Sequence, residues 1–374
     1  MMGYIMTNEA ALLLELVQVG LSVKNGLSHV PSSEEWKRLF RLSHIQAVTG
    51  LAFDGVQRLG EQGCKPPFEL LMEWIGLTEK INNHYEVHRK VLKNTLSCLV
   101  SHNIDVAFMK GLVVGSRYPK PEHRQCGDID FIVAETDFTR TLNLLESIGK
   151  VDRGLIHEHH GMAFVDGVQL EPHYKVHNFQ NPSVDKAMKE MFNEVFPDKL
   201  ITERIDDADI PTFPPAFECA FLVSHMVNHV YAEGLGLRQL IDFMMFLNKQ
   251  YSEINSMECL LYLKRLKMER AFRIFVRSCE KYLGLSKEIV NINYSSKEII
   301  FADKMMEDIM EVGNFGRGKD YLGQSNLLRP VRSYLWVTSR CIKLGYLCPA
   351  EAKWWPISKI RRYWWKRRSS LSRK

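Results

Sequence analysis

The sequence predicts an α+β fold in which a small mixed β-sheet core is embedded between N-terminal and C-terminal helical regions. Apolar residues recur at helical spacing over residues 32–100 and again over 217–310. The stretch between them instead alternates short apolar runs with glycine or proline turns and holds one Asp-Gly pair. The expected organisation is a helical region over 1–100, an α/β core over 101–210, a helical region over 211–340 and a basic aromatic tail over 341–374.

Each element has its own signal. Ser32 and Glu35 have capping-box spacing and open a helix that carries Trp36, Leu39, Phe40 and Leu42 and stops at Gly60. A second helix, over residues 68–100, lines up Ile81, Tyr85, Val91, Leu92, Leu96 and Leu99 on one stripe. "IDVAFMKG" reads as a strand ending at Gly111, with a short helix to Tyr118 and a turn bracketed by Pro119 and Pro121. "DIDFIV" is the next strand. The helix after it takes Thr136 as N-cap, faces Leu142, Leu145 and Ile148 inward and stops at Gly149. "GMAFVDGVQLEPHYKV" puts Asp166-Gly167 between two strand-like runs, a hairpin signal. "IPTFPPAF" marks the boundary to the C-terminal helices.

A composition of 45% hydrophobic and 10% aromatic residues excludes a disordered chain. The eight cysteines lie far apart with no C-x-x-C pair, which argues against a zinc ribbon or disulfide scaffold and for a reducing cytoplasm. Glu9 precedes the apolar stretch "AALLLELVQVGLSV", and no uninterrupted apolar run approaches the ~20 residues of a spanning helix, so neither signal peptide nor membrane span is expected. Residues 353–374 hold nine Lys/Arg and no acid; removing them from the net +5 leaves −4 for the rest. Trp354, Trp355, Tyr363, Trp364 and Trp365 interleave with those cations. Such a tail suits an anionic membrane surface, here the inner one, or a nucleic-acid backbone, and equally a solvated terminus.

The chemistry gathers around "CGDIDFIV". Side chains i and i+2 of a strand leave the same face, so Asp128 and Asp130 place two negative charges side by side, an arrangement a divalent cation offsets. Lys110 and Gly111 end the preceding strand, where a glycine lets backbone N–H groups approach a phosphate and the lysine adds a cation. Arg117 and Arg124 offer planar donor forks to a triphosphate. Glu171 supplies a third carboxylate, with His173 on its face; Pro172 between them removes a ladder donor and points to an edge or bulge. Three carboxylates on adjacent strands describe a two-metal site in which Asp128 and Asp130 bridge two Mg²⁺ ions and Glu171 binds the one nearer the acceptor.

"FMKGLVVGSRYPKPEHRQCGDIDFIV", "HHGMAFVDGVQLEPHYKVH" and "SHMVNHVYAEGLGLRQLIDFMMFL" together resemble the uncharacterised bacterial nucleotidyltransferase family of the DNA polymerase β-like superfamily. The likeness spans residues 36–315. It implies a nucleotidyltransferase core that binds an NTP such as ATP and transfers NMP with Mg²⁺, and it leaves the acceptor undefined. The superfamily's usual turn is Gly-Ser, where this chain has Lys110-Gly111. Two other classes stay open: an inactive binding module of the same fold, and an RNA-binding or RNA-extending protein that uses the basic tail.

Remaining motifs read more plainly. "HEHH" (157–160) and the pair His225/His229 could be read as metal ligands, but an H-x-x-x-H pair without a Glu beside its first His or a matching third ligand reads as a polar helix face, and His159 or His160 reads as a nucleotide contact. Arg238 and Asp242, at i and i+4, read as an intrahelical or interdomain ion pair, with the cleft within Arg238's reach. "GNFGRG" (313–318) follows no strand and reads as a loop.

Overall fold

The structure, a computed structural model, describes residues 6–155, 159–250, 256–318 and 328–371, with the backbone alone at 155, 256 and 363–371. In chain order it comprises α1 (Asn8–Gly20), α2 (Ser33–Ile45), α3 (Thr49–Glu61), α4 (Phe68–Ser101), β1 (Val106–Met109), α5 (Gly111–Gly115), β2 (Ile129–Val133), α6 (Phe138–Ile148), β3 (Lys150–Val151), β4 (Ala163–Val165) and β5 (Val168–His173). There follow α7 (Pro182–Val195), β6 (Ile201–Ile205), β7 (Ala208–Thr212), α8 (Pro215–Ala232), α9 (Leu237–Gln250), α10 (Ser256–Arg265), α11 (Glu269–Tyr282), α12 (Ser296–Val312), α13 (Arg329–Leu344), α14 (Pro349–Ala352) and α15 (Trp354–Leu371). The fold is α+β. All eight cysteines are free thiols, and no helix among the described residues is long and apolar enough to cross a membrane.

The sheet order is β1-β2-β5-β4-β3, with β2 and β5 parallel and the other pairs antiparallel. Strand alternation sorts the side chains between two cores. Ile129, Phe131 and Val133 join Val91, Leu92 and Leu99 of α4 and Leu142 and Leu145 of α6 on one face. Ile132, Ala107 and Met109 turn the other way, into the larger core built from α8, α9 and α11. Asp130 alternates with Phe131 and so belongs to this second face. The C-terminal helices therefore cover the acidic side of the sheet.

A clamped loop delivers β2 to that position. Tyr118 Oη and the Arg124 guanidinium both donate to Asp242 of α9, at 2.7–2.9 Å. Thr49 N donates to Gln125 Oε1 at 2.9 Å, and His88 Nε2 pairs with the Gly127 carbonyl at 2.7 Å. Helix α3 approaches this loop so closely at Gly50 that a Cβ there would collide with the carbonyl oxygen of His123. The loop is thus bonded to α3, α4 and α9 before the chain reaches Asp128.

Several elements differ from the sequence expectation. The helix expected from Ser32 to Gly60 is two helices: the capping box forms, but Ala47 takes φ 55° and breaks the chain. The break lets the buried Gln46 side chain donate to the Ile309 carbonyl and accept from Leu237 N, at 2.8 and 2.9 Å, satisfying backbone of α12 and α9. Helix α6 begins two residues after Thr136, at Phe138. The proline stretch read as a boundary contributes Ile210–Thr212 to β7, whose Thr212 Oγ1 donates to the Phe108 carbonyl at 3.1 Å. In the tail, Trp355 is a core residue at 4% exposure, while the side chains of Tyr363, Trp364 and Trp365 lie outside the described residues.

Gly50→Ala is expected to destabilise the protein by about 1–3 kcal/mol through overpacking against backbone that cannot rotate away. A urea denaturation midpoint equal to the wild type would show that the α3–loop clamp is slack.

Candidate active site

Across the parallel pair β2–β5, Asp130 and Glu171 are direct register partners, so their carboxylates leave the sheet side by side. On the other flank Met109 pairs with Asp130, and the next residue, Lys110, turns its ammonium back over the acid. Its Nζ is 2.9 Å from Asp130 Oδ1, and His173 Nε2 meets the same oxygen at 2.9 Å. The turn that permits this is strained: Lys110 has φ 55° and ψ −143°, backbone angles that suit glycine and cost a side-chain-bearing residue about 1–3 kcal/mol. Gly111 follows with φ 42°.

Charge is unevenly shared. Burial raises the Asp130 pKa, but Lys110 and His173 outweigh it and hold the carboxyl well below its usual range. For Lys110, burial works against the ammonium, and Asp130, Asp128 and Glu171 outweigh burial and hold it above its ordinary value. Glu171 has no such cation. Burial, with Asp130 and Asp128 adding to it, pushes its carboxyl up to about 8; its Oε1 accepts from Gln169 Nε2 at 2.8 Å. Near neutral pH the pair holds one negative charge and one proton.

These groups floor a cavity of about 330 Å³. Histidines form its walls: His159, His160 and His173 from the β5 side, His177 beyond them, and His225 and His229 from α8. His225 and His229 meet through their Nε2 atoms at 2.9 Å. Burial and Lys110 push His177 and His229 down to about 3, so both rings are neutral at pH 7. Arg238, Gln239 and Phe315 complete the roof. Arg238 donates to the Gln125 carbonyl at 2.7 Å and lies 5.9 Å from the Phe315 ring centre; its Nε is buried with no protein partner. Burial and the neighbouring Arg124 push its pKa below the ordinary value, outweighing Asp242 and Asp128.

The family described as uncharacterised nucleotidyltransferases matches residues 32–284 of the chain. The chain belongs to that family. No curated protein matches it significantly. Among solved structures, the crystal structure of an antigenic nucleotidyltransferase-like protein from Paracoccidioides brasiliensis is 15% identical, with 54% of this chain and 96% of that chain covered at a TM-score of 0.32. That overlap is too slight to transfer any residue assignment.

In this chain, Lys110, Gly111, Arg124, Asp128, Asp130, Glu171 and His173 all line one cavity. Arg117 does not. It is buried, and its guanidinium is held by both oxygens of Glu218 at 2.8 Å and by Glu203 at 2.7 Å, which makes it a structural cation remote from any phosphate. Arg124 is likewise bound to Asp242, so the expected Arg238–Asp242 pair is replaced, and only Arg124 Nη1 is left without a partner. Asp128 precedes β2 and stays half-buried; the tight cluster is Asp130, Glu171 and His173, whose ligand atoms lie within 4.8 Å of one another. His173 serves Asp130 and stands 4.0 Å from Glu171. Helix α5, at five residues, is too short to present a strong N-terminal dipole, so phosphate contacts fall to side chains.

Pro172 occupies a central strand, not an edge. Its carbonyl accepts from Gly161 N at 2.9 Å, so its missing N–H faces the β4 side, where regular pairing has already ended at Ala163. The β2–β5 ladder, made by the alternate residues, is undisturbed. Sequence reading missed Phe315 and His177 and gave Arg238 to an ion pair; His157 of the "HEHH" run lies outside the described residues.

Because the folded-state pKa of Glu171 is raised, the folded protein holds a proton that the unfolded chain releases, and stability falls as pH rises from about 4.5 to about 8. Glu171→Gln removes that loss. Without divalent cations, its melting temperature is expected to match the wild type at pH 4 and exceed it increasingly up to pH 8. A constant difference across this range would mean that Glu171 ionises normally.

Proposed function

We propose that the protein is a Mg²⁺-dependent nucleotidyltransferase that moves a nucleoside monophosphate from an NTP to a hydroxyl acceptor, releasing pyrophosphate. The observation that carries this reading is the buried Asp130–Glu171 pair, in which one carboxyl keeps a proton at neutral pH. A pair of hard oxygen donors opening into a cavity and carrying a proton in place of a countercharge fits a divalent cation. Asp130 and Glu171 would hold the ions, with Asp128 reaching in from the strand's entrance. When bound, Mg²⁺ supplies the positive charge that draws the α-phosphate to the pair and makes its phosphorus electrophilic.

The remaining groups bind and orient. Lys110 and Arg238 approach the cavity from opposite sides and suit the β- and γ-phosphates, and Arg124 Nη1 adds a donor. Phe315, 40% exposed at the cavity mouth, offers a ring face to the base. In the transfer, the acceptor oxygen bonds to the α-phosphorus as the bond to the bridging oxygen breaks. Glu171 is suited, through the ion it would hold, to lower the acceptor hydroxyl's pKa and help remove its proton as the bond forms. The histidine walls exclude bulk water from that exchange.

Incubation with each α-labelled NTP, Mg²⁺ and cell extract is expected to label one class of acceptor and release pyrophosphate, and Asp130→Asn to abolish both. Tight NTP binding with no pyrophosphate across all extracts would instead favour a binding module. Arg238→Ala should weaken NTP binding by about 1.5–3 kcal/mol, the worth of a charge-assisted bond. Its unfolding midpoint should barely move, because no carboxylate is left unpaired. Unchanged calorimetric affinity would remove Arg238 from the phosphate site.

A further inference from the structure

In the transfer just described, three rings beside the carboxylate pair serve only as cavity wall and, for His173, as a partner of Asp130. His159, His160 and His173 each present a ring nitrogen within 4.8 Å of the other two. Their ring centres lie 4.3, 5.5 and 5.1 Å apart. The backbone fixes this convergence, because Tyr174 N donates to the His159 carbonyl at 3.1 Å, Gly161 N donates to the Pro172 carbonyl at 2.9 Å, and His160 bridges to His173. The fold therefore continues the β4–β5 ladder past its regular end, and the result is to hold two consecutive histidines against a third.

Two of the three rings keep a buried nitrogen that no described residue engages. His173 is 4% exposed; Asp130 engages its Nε2, and its Nδ1 is buried with no partner among the described residues. The Nδ1 of His159 is also buried without one. Orphaned polar atoms of this kind destabilise the fold unless something binds them. A carboxylate on one nitrogen of a histidine fixes the ring's orientation and raises its basicity, as it does for metal-binding histidines. Imidazole nitrogen selects the zinc-like transition metals, whereas Mg²⁺ takes oxygen. At a Zn–N length of about 2.0–2.1 Å, tetrahedral ligand atoms stand about 3.4 Å apart, a modest contraction from the spacing here. Glu171 Oε2, 3.8 Å from His160 Nε2, adds an oxygen donor at the edge of the cluster.

We propose that His159, His160 and His173 form a binding site for a transition-metal cation of the Zn²⁺ or Co²⁺ class, adjacent to the oxygen-donor pair and distinct from it in metal preference. This site does not depend on nucleotidyl transfer. Either can exist without the other.

The test titrates metal-free, full-length protein with Co²⁺ in a large excess of Mg²⁺ and follows visible d–d absorption. One equivalent is expected to bind despite the Mg²⁺. His159→Ala and His160→Ala should each weaken Co²⁺ binding at least tenfold, while Asp128→Asn retains it. X-ray absorption of the Zn²⁺-loaded wild type, which needs no variant to fold, should show a shell of imidazole nitrogens at about 2.0–2.1 Å. An all-oxygen shell, displacement of Co²⁺ by Mg²⁺, or unaltered affinity in both histidine variants would overturn the proposal. If Co²⁺ binds as expected but no NTP is ever turned over, the transfer reading fails and this one stands.

Discussion

The parallel register between β2 and β5 is the constraint from which the rest follows. It sets Asp130 opposite Glu171 on a face that the helices cover, where two ionised carboxylates cannot coexist without a cation. The protein answers in three ways at once. Lys110 is forced into a glycine-like turn to reach Asp130, His173 donates to the same oxygen, and Glu171 keeps its proton. Each answer is costly in a fold built only for stability, since strain, a buried base and a neutralised acid all work against it.

The helical regions on either side of the sheet are parts of the site. Helix α9 bonds Arg124 through Asp242 and brings Arg238 over the cavity, and α8 lays His225 and His229 along its wall. The N-terminal helices act at one remove. The break at Ala47 frees Gln46 to tie α9 and α12 to the N-terminal block, and the start of α3 holds Gln125, whose carbonyl accepts from Arg238. A change in the helix packing far from the acids would therefore be felt as a displaced guanidinium.

What was legible in the sequence is what depends on near neighbours. The Ser32–Glu35 box, the long α4 stripe, the Asp166-Gly167 hairpin and the "DIDFIV" strand were all written in local spacing. The shared face of Glu171 and His173 followed from strand period alone. Local pattern did not reveal the kink at Ala47, because a non-glycine residue takes the positive φ there and tertiary bonds to Gln46 compensate. Nor did it reveal β6 and β7, where the prolines suggested a boundary. Arg117 and Arg124 had the right chemistry for phosphate; what the sequence concealed was Glu218 and Asp242, about a hundred positions away, which bind them. Likewise the "HEHH" run lacked a third ligand only until the sheet register brought His173 beside it.

The cavity thus has an oxygen-donor floor, a nitrogen-donor wall and cations reaching in from the end of β1 and from α9. The central claim is that the acid pair is a cation-dependent nucleotide site. A crystal structure of the protein with Mg²⁺ and a non-hydrolysable NTP tests this most directly. The account predicts cation density between Asp130 and Glu171, the α-phosphate against it, and the outer phosphates within hydrogen-bond reach of Lys110 and Arg238. Nucleotide bound elsewhere, or an Asp130–Glu171 pair that remains protonated and metal-free with nucleotide present, would contradict it.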